Sequence, residues 1–291
     1  MPPLLAGVLF QLGALTLFVG LDACTKWLAQ YHAVPQLMFM RFLIHSIVVA
    51  LALRVATGRI PWRSRAPGLQ AVRSLLLASG SLLFTTALIY VSLADATAVG
   101  FASPLFVVVL AALWLREKVG PRRWIGVGVG FAGVMIALRP PFLTGAEPPH
   151  WAMILPLGMA VLFGTYQVLT RKLATVDDPL TTALHTGLAA AAVTALAQPF
   201  VWTAPSPGTW VVLVMAGVLG GAGHALLVQA YARAPASLLA PISYGQLIGA
   251  VFASAVVFGD QPDRWTLLGA AVIVAGGLIV AVPSRRRAEP G

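Results

Sequence analysis

Cysteine occurs once in this chain, at Cys24, so an intramolecular disulfide and a cysteine-built metal site are both excluded. Charge is nearly as scarce. Only 10% of the 291 residues are Asp, Glu, Lys or Arg, while 59% are hydrophobic. A water-soluble surface needs far more charge than that, which excludes an ordinary soluble domain. Acids are the rarer sign, 9 Asp and Glu against 19 Lys and Arg, for a net charge of +10. The excess does not indicate nucleic acid, because the bases sit in short loops beside apolar runs, where they act as a membrane-orientation signal.

Catalytic signatures are missing too. No His-Glu-x-x-His, Gly-x-Ser-x-Gly or pair of acids deep in an apolar run is present, and His32, His45, His150, His185 and His224 show no ligand spacing. Neither a metal nor any other cofactor is expected, and an enzyme reading finds no acid, base and nucleophile set. Leu21-Asp22-Ala23-Cys24 superficially resembles a lipoprotein cleavage box, but no Lys or Arg precedes its apolar run. Residues 1–30 therefore read as a retained first helix.

What the chain has is apolar length. About 20 apolar residues cross a bilayer as a helix. Runs of that order cover 4–29, 36–56, 70–91, 96–115 and 121–138, then 151–170, 179–198, 209–230, 236–258 and 265–282. This predicts an all-α integral membrane protein with ten transmembrane helices, five per half. The proline-rich stretch from Arg139-Pro140-Pro141 to Pro148-Pro149 cannot continue a helix and reads as an exposed linker. The expected organisation is a first repeat over 1–140, a linker over 141–150, a second repeat over 151–283 and a basic tail over 284–291.

The halves share a spacing. Glu117, Gly126, Gly133 and Pro140 are separated by 9, 7 and 7 residues, and Asp260, Gly269, Gly276 and Pro283 by the same steps, at an offset of 143. Glycines seven apart lie on nearly one helix face and let a second helix approach closely. Loop charge is reversed between the copies: the base-rich loop from Arg54 to Arg73 corresponds to Gln198–Thr209, which has no base. Five helices per half oblige the second half to enter from the opposite side, which predicts inverted repeats. With both termini inside, 15 of the 19 Lys and Arg, Arg73 among them, fall in inner loops and the tail. Both ends are accordingly expected in the cytoplasm.

Ten spans in two five-helix halves, each closing its fourth span with an acid (Leu115-Arg116-Glu117; Phe258-Gly259-Asp260) and carrying a Gly-x6-Gly fifth span, resemble the EamA family of the drug/metabolite transporter superfamily. The resemblance covers almost the whole chain and is closest to bacterial amino-acid exporters, including those for aromatic amino acids. It implies a multi-pass carrier of the bacterial inner membrane, with a periplasmic linker, exporting amino acids or related small metabolites by alternating access. Cationic aromatic or multidrug efflux is the alternative. Small-molecule substrate and lipid bilayer are the expected partners; a monomer is favoured, although the sequence leaves the oligomeric state open. One departure stands out: Pro104 lies 13 residues before Glu117, but the place 13 before Asp260 is Leu247, and the nearest proline is Pro241. That predicts a ninth span bent elsewhere than the fourth.

Candidate substrate-binding residues follow from depth. Counting inward along each span places Ser81, Phe84, Thr85, Phe101, Tyr166, His224, Tyr244 and Gln246 near mid-membrane, with Ser103, Phe163 and Gln167 beside them. Polar groups at that depth face a bundle interior or a water-filled cavity, though many serve only as packing glue between helices. Asp22 and Lys26, four apart near the outer end of the first span, read as an interfacial ion pair with Lys26 snorkelling outward. By that depth Asp22 lies too near the surface to trade protons for cations. Arg41 fits two roles equally, meeting an anionic carboxylate or anchoring the second span to headgroups. Glu117 and Asp260 read as N-terminal caps of the helices that follow them.

Overall fold

The computed structural model describes residues 2–117, 119–138, 150–260 and 262–281. Among these residues every regular element is a helix. In the first half these are α1 (Pro3–Leu28), α2 (Val34–Thr57), α3 (Pro67–Tyr90), α4 (Leu93–Gly100), α5 (Ser103–Trp114) and α6 (Pro121–Leu138). After a 3₁₀ turn at Trp151–Met153 come α7 (Ile154–Leu173), α8 (Pro179–Ala195), the single turn α9 (Gln198–Val201), α10 (Pro207–Arg233), α11 (Ala236–Ile242), α12 (Gly245–Phe258) and α13 (Arg264–Ala281). The proposed linker, apart from His150, and the basic tail lie outside the described residues.

Local chemistry sets the ends. Proline occupies the first turn of α1, α2, α3, α8 and α10, where its missing N–H removes no helical bond. Ser92, Asp178 and Ser206 accept N–H bonds from the starts of α4, α8 and α10. Gly58 and Gly259, at φ 70° and 69°, close α2 and α12 in the left-handed conformation.

Seven helical stretches are long and apolar enough to cross a membrane: 3–28, 34–57, 67–90, 93–114, 151–173, 207–233 and 236–258. Shorter apolar helices cover Trp124–Ala137 and Arg264–Ile279. Two of the seven are broken. The first breaks at Phe101-Ala102 and the second at Ser243-Tyr244, each through tightened turns in which an N–H reaches back three residues, Ala102 to Val99 and Gln246 to Ser243 among them. Phe101 and Tyr244 stand 143 residues apart, so the breaks fall at equivalent places. The expectation of a displaced bend is corrected: Pro104 opens α5 just after the first break, whereas Pro241 lies just before the second, inside the turn that the Ser243 N–H closes on the Ala240 carbonyl.

Contacts between the halves come in matched pairs. Helix α1 packs on α10 as α7 packs on α3; α2 meets α10 as α8 meets α3; α1 meets α12 as α7 meets α5. Helix α6 lies along α13, and its glycines touch backbone. A Cβ on Gly133 would come within 2.8 Å of the Gly269 carbonyl oxygen, and one on Gly276 within 2.7 Å of the Gly130 nitrogen. The contact pairs 133 with 269 and 130 with 276, so the two helices run antiparallel.

Three expectations about charged residues are corrected. Arg73 is not a loop base; it lies in α3 with no exposed surface, donating to Thr170 Oγ1, the Thr182 carbonyl and Thr186 Oγ1. Glu117 accepts from the Ser237 N–H at 3.3 Å, so it serves the start of α11 rather than the helix that follows it. Asp260 pairs with Lys26 at 2.5 Å, and the cap of α13 is Asp263, which accepts from the Thr266 N–H. In each case the charged group finds partners that tertiary packing brings near, which sequence order does not reveal.

Candidate functional site

A cavity of about 110 Å³ opens where α1, α2, α3, α7 and α10 surround the two helix breaks. One water needs only about 10–15 Å³ by this measure, so the space holds more than a single solvent molecule. Its walls are largely apolar and aromatic: Phe18 from α1, Phe84 from α3, Phe101 at the first break, and Met159 and Phe163 from α7. Polar atoms enter at intervals. Gln11 Oε1, Thr85 Oγ1, Thr97 Oγ1 and Ser103 Oγ belong to lining residues, are buried, and have no hydrogen-bond partner among the described residues. Native interiors leave few such groups, and here four of them belong to residues that line one cavity.

Of the eight residues singled out by depth, Ser81, Phe84, Thr85, Phe101, His224 and Gln246 line the cavity. Tyr166 and Tyr244 do not. Tyr166 is fully buried, with its hydroxyl 3.1 Å from His224 Nδ1 and its ring beneath the Arg73 guanidinium at 5.0 Å. Phe163 and Gln167, four apart, share the cavity face of α7, and Tyr166 is turned about 100° from Gln167 toward its neighbours. Tyr244 packs its ring on Phe101 at 5.7 Å and aims its hydroxyl at Gly130. Both tyrosines therefore support the wall from behind.

Sequence depth missed the charged end of the cavity. Asp22 and Arg41 both line it. The expected Asp22–Lys26 pair does not form: Asp22 accepts from Gln246 Nε2 at 2.9 Å, whereas Lys26 turns to Asp260 and lies over the Phe258 ring. Arg41 is only 6% exposed and stacks on the Phe42 ring at 4.6 Å, so the headgroup-anchor role is corrected. Residue counting measures depth along a helix but not which face opens on a void. The sequence offered two signals: four-residue spacing put Asp22 and Lys26 on one face and suggested the wrong partner, and Arg41 read as meeting a carboxylate as readily as anchoring its span.

Among the described residues no group of three His, Cys, Asp or Glu could hold a metal ion. The site offers binding and orientation, with aromatic faces, hydroxyls, amides and one charge of each sign.

The EamA-like transporter family matches the chain twice, over residues 5–139 and 150–282. A riboflavin transporter of Vibrio cholerae is 31% identical over 274 residues, spanning 93% of this chain and 91% of that protein. An S-adenosylmethionine uptake transporter of Rickettsia bellii is 27% identical over 265 residues, spanning 91% of this chain and 89% of that protein. One solved crystal structure superimposes with a TM-score of 0.75 over 97% of this chain and 99% of its own at 21% identity, a likeness of fold. With both halves matched and its relatives aligned along most of their length, the chain belongs to the EamA-like transporter family and is a multi-pass membrane transporter, not an enzyme.

Proposed function

We propose that the protein is a ten-span secondary carrier of the bacterial inner membrane, whose two inverted halves move amino acids or related small metabolites by alternating access through the central cavity. The count of ten adds α6, α8 and α13 to the seven longer stretches. At 18, 17 and 18 residues they are each about 26–27 Å long, within a few ångströms of the hydrocarbon thickness. Inversion is supported by the matched contacts between halves and by the antiparallel crossing of α6 and α13 at equivalent glycines.

The observation that carries the substrate class is the cavity: aromatic walls contributed by both halves, with Gln11, Asp22, Arg41, Thr85, Ser103 and Gln246 among the residues that line it. Such a lining suits a flat apolar body with polar edges, as in an aromatic amino acid. Riboflavin is the second reading, because a flat ring system suits the same aromatic walls and the Vibrio cholerae relative is named for it. Cationic drug efflux gains Asp22 as a cavity residue, but Arg41 lines the same space, and a cation-selective site is poorly served by an uncompensated guanidinium. Carrier cycles are reversible, so one site serves the export that the family resemblance implies and the uptake for which the Rickettsia bellii relative is named.

Counterflow into liposomes containing only this protein tests the proposal, using labelled tryptophan, S-adenosylmethionine and riboflavin. The expected result is saturable exchange of tryptophan. In Gln246→Ala this exchange should fall about tenfold at unchanged protein level, the worth of one charge-assisted hydrogen bond of about 1.5 kcal/mol. Exchange of riboflavin alone would replace the amino-acid reading, and no exchange of any of the three would defeat both.

A further inference from the structure

The guanidinium of Arg41 is an anomaly. The side chain is only 6% exposed and lines the cavity, yet it makes no hydrogen bond and no ion pair with any described residue. Its guanidinium carbon lies over the face of Phe42, its chain neighbour, 4.6 Å from the ring centre. Asp22 is near enough to feel its charge but not to pair with it, being occupied by Gln246. Arg73 shows the contrast: an equally buried arginine of the same bundle is fastened by three donated hydrogen bonds and does not line the cavity. Burying a charge without hydrogen-bonded acceptors is costly. A guanidinium is a rigid, planar fork that fits a carboxylate bidentately.

We propose that Arg41 is the anion-recognition residue of this cavity, gripping the carboxylate of a zwitterionic solute while Asp22, steadied by Gln246, meets its ammonium group. The inference rests on the cavity being the substrate site. Phe84, Phe101 and Phe163 would then receive the apolar part of the solute. The arrangement selects against solutes lacking either charge, since each would leave one buried group uncompensated.

Three probes separate the contributions: L-tryptophan carries both charges, tryptamine lacks the carboxylate, and indole-3-propionate lacks the ammonium. Binding of each to the purified full chain in detergent is measured by competition against labelled tryptophan and by direct titration. Comparisons are with Arg41→Gln, Arg41→Lys, Asp22→Asn and the uncharged wall variant Phe84→Ala, each checked for a monodisperse elution profile. In Arg41→Gln, tryptophan and indole-3-propionate should weaken by about tenfold or more and tryptamine should not. Arg41→Lys, which keeps the charge and loses the fork, should fall in between and guards against a folding artefact in the glutamine variant. Asp22→Asn should reverse the pattern, weakening tryptophan and tryptamine only. Phe84→Ala should weaken all three. If Phe84→Ala acts on every probe but Arg41→Gln changes none, or all three equally, the assignment of Arg41 is overturned and the cavity stands as the site. If no variant changes any probe, or no probe binds the unmodified chain, the cavity reading falls first and this inference with it.

Discussion

Asp177, in the turn before α8, accepts from Ser64 Oγ at 2.5 Å, the Arg65 N–H at 2.7 Å and Gln70 Nε2 at 2.8 Å. One carboxylate thus ties the loop before α3 to the start of α8. Burial alone would raise its pKa, but the three hydrogen bonds outweigh burial and hold it below the usual carboxylate value. The sign follows. A lowered folded pKa contributes stability that is complete above the unfolded value of about 3.9 and is lost as pH falls through the folded value. Thermal unfolding in detergent should therefore show wild type losing stability more steeply than Asp177→Asn below about pH 4. At neutral pH the variant should be less stable by about 1–3 kcal/mol; parallel curves would show that Asp177 is not held in this way. The residue scale is where the sequence was least legible. Arg73 sat beside loop arginines in the chain, and Asp22 sat four residues from a lysine, so each was given a sequence neighbour as context. Their true partners lie on other helices, at separations of up to 224 residues for Asp22 and Gln246.

Among elements, α6 and α13 were the most legible, because their contact is written as missing side chains. Gly126, Gly133, Gly269 and Gly276 repeat at one spacing only if a partner must come close at those points, and the partner of each helix is the other one. The surface away from the contact gives the control: a Cβ on Gly128 would meet nothing within 4 Å. Gly133→Ala, which places a methyl against backbone atoms that cannot turn aside, should destabilise by about 1–3 kcal/mol or more. Gly128→Ala should be neutral or stabilise by about 0.5–1 kcal/mol through helix propensity. Melting of the two purified variants checks this, and equal behaviour would mean that the glycine contact does not hold the halves together. The helix breaks were less legible. Each has a proline within three residues, Pro104 after the first and Pro241 before the second, so a search for prolines at matching positions predicted an asymmetry that the backbone does not have.

For the whole molecule, charge and length together argue one topology that remains to be tested as a unit. If the halves are inverted, the loop between α2 and α3 and the segment between α9 and α10 are equivalent in the repeat but face opposite sides. Their composition agrees: the first carries Arg59, Arg63 and Arg65, and the second, 202–206, has no base. The bias survives the removal of Arg73 from the loop set, because the remaining arginines are still confined to one of the two segments. Arg63 and Ala204 are exposed, and Cys24, the only native thiol, is buried. In a Cys24→Ser background, Arg63→Cys and Ala204→Cys therefore place one thiol in each segment. A membrane-impermeant maleimide added to intact spheroplasts should label position 204 and leave 63 unlabelled until the membrane is opened. Labelling of 63 alone would reverse the orientation but keep the inversion. Labelling of both, or of neither, before lysis would place equivalent loops on one side; five spans per half could not do that, and the inverted ten-span arrangement would have to be abandoned together with the alternating-access cycle built on it.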